Sequence, residues 1–162
     1  MSTRSNALAE RLEQGTTALY TLASDLTDAQ WRLPAFPPRD ARPIGVIVHH
    51  VASVLPLEIQ LAQVLASGKP VEGVTMDDVN AMNAGHAKDN AGVARVEALD
   101  LLKRNAAAAA AAIRALSDAD LDRAAQASLY FDAPITCQFM LEDHAVRHSY
   151  HHLFRIRAAL QR

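Results

Sequence analysis

From Ser5 to Asp25 the inward positions Leu8, Leu12, Gly15, Leu19, Leu22 and Leu26 recur at alternating steps of four and three. That period predicts an amphipathic helix whose apolar seam faces a bundle core. Thr27 then offers a cap for at most one short turn, and Pro34, Pro37 and Pro38 end any helix, because proline lacks the amide donor and disfavours helical geometry before it. Pro43 suits a first-turn position. A second helix is expected from there to about Ala66, carrying Ile44, Ile47, Val48, Val51, Val54, Leu55, Leu61 and Leu65 and kinked at Pro56. Ser67-Gly68-Lys69-Pro70 is a stop signal.

Thr75 caps the next segment, which reads as helical from Met76 to Leu116 with one break around Gly85 or Gly92. Its later part carries Val93, Val96, Leu99, Leu102, Ala106, Ala109, Ile113 and Leu116 on one stripe, through an unbroken alanine run from 106 to 112. Ser117 to Arg123 reads as a capped turn and 124–134 as a loop. Thr136 caps a last helix running nearly to the end, with an inward stripe of Leu141, His144 or Ala145, His148, His152, Ile156 and Ala159. Four long helices joined by loops predict an all-α, antiparallel four-helix bundle.

Composition narrows this picture. The chain has 162 residues, enough for one domain of ordinary size spanning 1–162. It holds 32 alanines and only 5% aromatics, a mixture that favours helices over sheets. The net charge of −2 argues against a nucleic-acid partner, which calls for excess Lys and Arg. No uninterrupted apolar run reaches the roughly 18 residues of a membrane span, and the N-terminus lacks a signal-peptide core. Cys137 is the single cysteine, so no internal disulfide is expected and a cytoplasmic location follows.

The histidines carry the chemistry. His144, His148, His151 and His152 crowd the last helix, His49 and His50 pair on the second, and His86 stands apart. His148 and His152, four residues apart, share a helix face with Cβ atoms about 5–6 Å apart. They occupy positions where a bundle core wants leucine, and a buried imidazole without a partner is costly. Together with His50 from a facing helix they make a three-histidine site for a divalent metal, with a coordination position left for water or substrate. His49 and His151 point about 100° from their neighbours and are assigned to the surface or to the support of the ligands. His144 is either a pocket-lining acid/base group or an ordinary core or solvated histidine, and His86 reaches at most the pocket mouth. Glu58 lines the interior or, as glutamates more commonly do, faces solvent. Glu142 and Asp143 either orient a ligand imidazole or serve the helix dipole. Cys137 reads as a small buried residue, the other reading being a thiol activated in the first helical turn.

Other metal motifs fail on the same residues. Ser149 follows His148 where a zincin protease has glutamate, and no acidic residue stands three before a histidine, as di-iron bundles require. The stretch Ile44-Gly45-Val46-Ile47-Val48-His49-His50-Val51 and the segment His148-Ser149-Tyr150-His151-His152-Leu153-Phe154-Arg155-Ile156-Arg157 resemble the helix-2 and helix-4 signatures of the DinB/YfiT-like family. The resemblance spans most of the chain and implies that His50, His148 and His152 bind metal. It departs near the start of helix 2, where the family often has tryptophan and this chain reads Arg42-Pro43-Ile44, and after the C-terminal pair, where a family glycine is replaced by Leu153-Phe154-Arg155. Relatives imply thiol-dependent chemistry: zinc or nickel as the ion, a low-molecular-weight thiol or water as nucleophile, a small-molecule substrate, S-transfer or hydrolysis as the reaction, and a homodimer. The other readings are a non-catalytic, stress-response module whose metal pins helices together, and a plain bundle whose histidines only pack.

Overall fold

The computed structural model describes residues 2–161. Helix α1 (Thr3–Ser24) starts at Ser2, whose hydroxyl accepts from the amides of Arg4 and Ser5. A one-turn helix α2 (Asp28–Trp31) is closed by a Thr27/Gln30 capping box. The proline-rich stretch folds into a short antiparallel hairpin, β1 (Pro34–Phe36) and β2 (Asp40–Pro43). Helix α3 (Ile44–Ala66) follows with Pro43 as its cap. The expected break falls on the Gly92 side, separating α4 (Met76–Asp89) from α5 (Arg95–Arg114). After α6 (Asp118–Asp122), residues 124–134 correct the loop expectation: β3 (Ala124–Ala127) and β4 (Ala133–Thr136) pair as a hairpin. Its tip is a 3₁₀ turn (Ser128–Tyr130) followed by Phe131 and Asp132 at positive φ. The last helix begins as α7 (Cys137–Met140), passes through a π-helical turn (Leu141–Val146) and ends as α8 (Arg147–Leu160).

The four long helices form the bundle. Helix α5 packs against both α1 and α3, and the last helix closes the opposite side. Residue pairs fix their directions. The start of α3 and the start of α5 meet through Trp31, whose indole lies against Gly45 and donates to the Val93 carbonyl, so these two helices run alike. Arg114 at the end of α5 meets Glu13, while Arg95 at its start meets Asp28 just past the end of α1, so α5 opposes α1. Along α1, Arg4 meets Gln138, Arg11 meets Glu142 and Gly15 lies against Ser149 in turn, so α1 and the last helix run alike. Parallel neighbours need a long return connection, and α4 supplies it. It buries no residue fully.

The core joins Leu12, Leu19, Ile47, Leu55, Leu102, Ile113, Met140 and Ile156. The alanine run is used on one side: Ala106, Ala109 and Ala110 face in and Ala107, Ala108 and Ala111 face out. Val96, expected on that inward stripe, is 67% exposed, because the seam of α5 runs through Ala98 and Leu99 instead. Gly15 is the contact point of α1 with α8; a Cβ there would meet Ser149 and come within 2.6 Å of the Tyr150 ring.

Helix α3 continues through Pro56. A proline there cannot donate to the carbonyl one turn back, that of Ala52, and the Asn105 side-chain amide of α5 takes its place at 2.8 Å. By length and composition α3 would suit a membrane span, but its apolar window is 67% buried inside the bundle. It also carries His49, His50 and Glu58, all buried.

Candidate metal centre

His50 comes from the second turn of α3, and His148 and His152 come from successive turns of α8. Helix pairing brings them together: His50 and His148 ring centroids are 5.0 Å apart, His50 and His152 5.7 Å, and His148 and His152 4.9 Å. One nitrogen from each ring lies within 4.8 Å of the others. His50 and His152 are each 5% exposed. Burial, with the neighbouring imidazoles, pushes His50 down to about 3 and drives His152 well below the usual histidine range. Both rings are therefore neutral near pH 7, the form that ligates a metal. Their Nδ1 atoms are buried with no hydrogen-bond partner. Two orphaned buried imidazoles beside a third match the donor set of an open three-histidine site.

The third ring is tethered. Glu58, 6% exposed and two turns along α3 from His50, places Oε1 2.6 Å from His148 Nδ1. The carboxylate accepts, so Nδ1 carries the proton and Nε2 is the nitrogen left to face a metal. Glu58 thus faces inward, not the solvent-facing course of most glutamates. The signal in the sequence was its place on α3 two turns beyond His50, on the side turned toward α8.

The remaining candidates fall into two groups. His144 and His151 line the same cavity as the three clustered rings. The Tyr130 hydroxyl donates to Asp143 Oδ2 at 2.5 Å and sits 2.9 Å from His144 Nε2. Its only proton goes to the carboxylate, so His144 Nε2 donates and Nδ1 is left as an acceptor. Burial lowers the pKa of His144 and raises that of Tyr130. Burial also pushes Asp143 up, but Tyr130 and Arg147 outweigh it and hold the carboxylate below its ordinary value. His49 and His86 stack behind the cluster, Nδ1 to Nε2 at 2.9 Å, and the edge of His86 meets His50 at 5.4 Å between centroids. His49 is buried, not on the surface, because α4 folds back over it.

Glu142 and Asp143 do not hold ligand imidazoles: Glu142 pairs with Arg11 and Asp143 with Tyr130 and Arg147. Cys137 is fully buried and burial pushes its thiol up to about 11, so it is not an activated nucleophile. Tyr130 carried no signal in the sequence, since it comes from the stretch expected to be a loop.

The cavity has a volume of about 460 Å³. One wall is Val54, Leu57 and Leu61 of α3, and α4 contributes Met76, Val79, Met82 and Asn83. The hairpin adds Leu129, and α8 with the π turn supplies four of the five histidines and three of the charged residues. An apolar pocket with a few convergent polar groups is the usual form of a small-molecule site.

The sequence profile of the DinB superfamily matches residues 11–154. Among solved structures, YfiT from Bacillus subtilis, a probable metal-dependent hydrolase with an unusual four-helix bundle topology, matches with a TM-score of 0.79. The identity is 21% over 99% of this chain and 89% of that one, a likeness of fold. No curated protein matches the chain.

Proposed function

The chain belongs to the DinB superfamily, and on that premise we propose that it is a metal-dependent enzyme acting on a small molecule. One observation carries this reading: His50, His148 and His152 converge on the wall of a 460 Å³ cavity and not in a sealed core. The three histidines would hold a divalent ion, zinc or nickel. Such an ion activates water or a low-molecular-weight thiol as a nucleophile and polarises the bond under attack. YfiT, a probable metal-dependent hydrolase, supports the water course.

The chain's own residues do the rest. Glu58 holds the proton at His148 Nδ1 and fixes that ring's orientation. His144, with Nε2 held by Tyr130, lines the cavity from the π turn and keeps Nδ1 as its remaining acceptor. The apolar wall of α3 and α4 excludes water from the bound molecule. A purely structural metal would stand among residues with no cavity beside them, which is not the arrangement here.

The test is metal content by mass spectrometry on untagged protein, set against a His148→Ala/His152→Ala double variant. The expected result is about one divalent ion per chain, as one three-histidine site implies, lost in the variant. Ester hydrolysis and thiol transfer to an electrophile, each assayed with and without chelator, then separate the two nucleophiles. Absence of metal in the wild type, or metal retained in the variant, refutes the reading.

A further inference from the structure

The charged groups around the cavity are engaged with one another. Arg42, at the end of β2, gives Nε and Nη2 to the two oxygens of Asp40 at 2.9 and 2.8 Å, and the same carboxylate feels the charge of Arg155 from α8. Arg155 itself lies over the Phe36 ring at 5.1 Å. Glu58 accepts from His148, and Asp143 is held by Tyr130 and Arg147. Asp78 is exposed and committed to the Thr75 cap of its own helix. The three arginines are thus matched by Asp40, Glu58 and Asp143, and the walls offer no unmatched charge to an ion entering from solvent.

The rest of the wall is apolar and elongated. From His50 through Val54 and Leu57 to Leu61 the cavity follows α3 for roughly 16 Å. Helix α4 is anchored near the histidines where His86 stacks on His49, so Met82, Val79 and Met76 succeed one another away from that end. Leu57, Met76 and Met82 are 39%, 59% and 42% exposed, so a solute lying there removes apolar surface from water. The two methionines are flexible and adapt to its shape.

We propose that the cavity selects an uncharged, apolar small molecule, an alkyl or aryl compound with one polar reactive group, over the corresponding acids and amines. The polar group meets the histidine end and the apolar body lies along Leu57, Leu61, Val79 and Met82. An ion of either sign would leave water for walls whose charges are already paired, and that cost is uncompensated. This assignment rests on the reading of the cavity as the substrate site and names the substrate class.

The experiment is an NMR titration of the full chain after chelation, the state in which the walls act without an ion, with 1-hexanol, hexanoate and hexylammonium. Hexanol should bind roughly tenfold or more tightly than either ion, and 1-butanol should be weaker than hexanol by about fourfold for each methylene removed. Met82→Asp should weaken hexanol roughly tenfold, whereas Met82→Leu, which conserves volume and apolarity, should bind it like the wild type. Met82 lies on the half-exposed face of α4, so the fold should survive, and Val79→Asp is the second variant. The proposal is overturned if either ion binds within tenfold of hexanol, or if Met82→Asp and Val79→Asp both bind hexanol like the wild type. Failure of all three probes to bind overturns it too, and a result obtained without metal is independent of the metal-content test.

Discussion

Replacing Glu58 tests whether the carboxylate positions a metal ligand or merely fills the core. Its Oε1 is 2.6 Å from His148 Nδ1, and its other oxygen is buried with no partner. Partners that orient a ligating histidine typically contribute 10- to 100-fold in metal affinity, which is about 1.4–2.7 kcal/mol. Glu58→Gln keeps the shape, and its amide oxygen can still accept from Nδ1. A neutral acceptor is roughly half as strong as a charged one, so a loss of zinc affinity near tenfold is expected. Glu58→Ala removes the acceptor and should approach a hundredfold. The metal-free fold should lose no more than about 1 kcal/mol in Glu58→Gln, since one hydrogen bond is retained. Competition of each variant with a chromophoric chelator for zinc gives the affinities, and urea denaturation of the chelated proteins gives the stabilities. Unchanged zinc affinity in Glu58→Gln, or an affinity loss no larger than the stability loss, would refute the positioning role.

Metal-free protein should weaken in mild acid. The depressed values of His50 and His152 mean that the unfolded chain takes up protons below about pH 6.5 while the folded chain does not, until about 3 for His50. Stability is complete above that upper limit and falls by about 2 kcal/mol per histidine between pH 6.5 and 5; a flat profile in denaturant melts would contradict the burial argument. Asn105→Ala leaves the Ala52 carbonyl unpaired beside Pro56, and a loss of about 1–3 kcal/mol is expected in the same assay. Gly15→Ala forces α1 away from Ser149 and Tyr150 and should cost about 1–3 kcal/mol. Gly85→Ala meets nothing within 4 Å inside α4 and should gain up to about 1 kcal/mol.

The amphipathic seams, the caps at Thr27, Thr75, Ser117 and Thr136, and the stop at Gly68 were all legible from residue order. Each depends on neighbours within one or two turns, which is the range over which hydrophobic period and capping chemistry act. The same range made His148 and His152 legible as a pair, because a spacing of four is itself a distance on a helix. Joining them to His50 needed more, since spacing along the chain does not say which helices are neighbours.

What only the tertiary structure decided lies where segments distant in sequence meet. The 124–134 stretch is a hairpin because its strands pair with each other and Val71 bridges to Ala127, which gives weak local signals a ladder. The π turn seats Ala145 and Val146 together in the core and turns His144 toward the cavity, resolving an ambiguity that an ideal helical period leaves open. Glu58 and His148 stand 90 positions apart, and Arg42 and Arg155 further still. Local pattern determines the elements because short-range sterics and periodic burial act within one segment. The charges and protons of the site are set by which segments pack together, and that is a property of the folded chain.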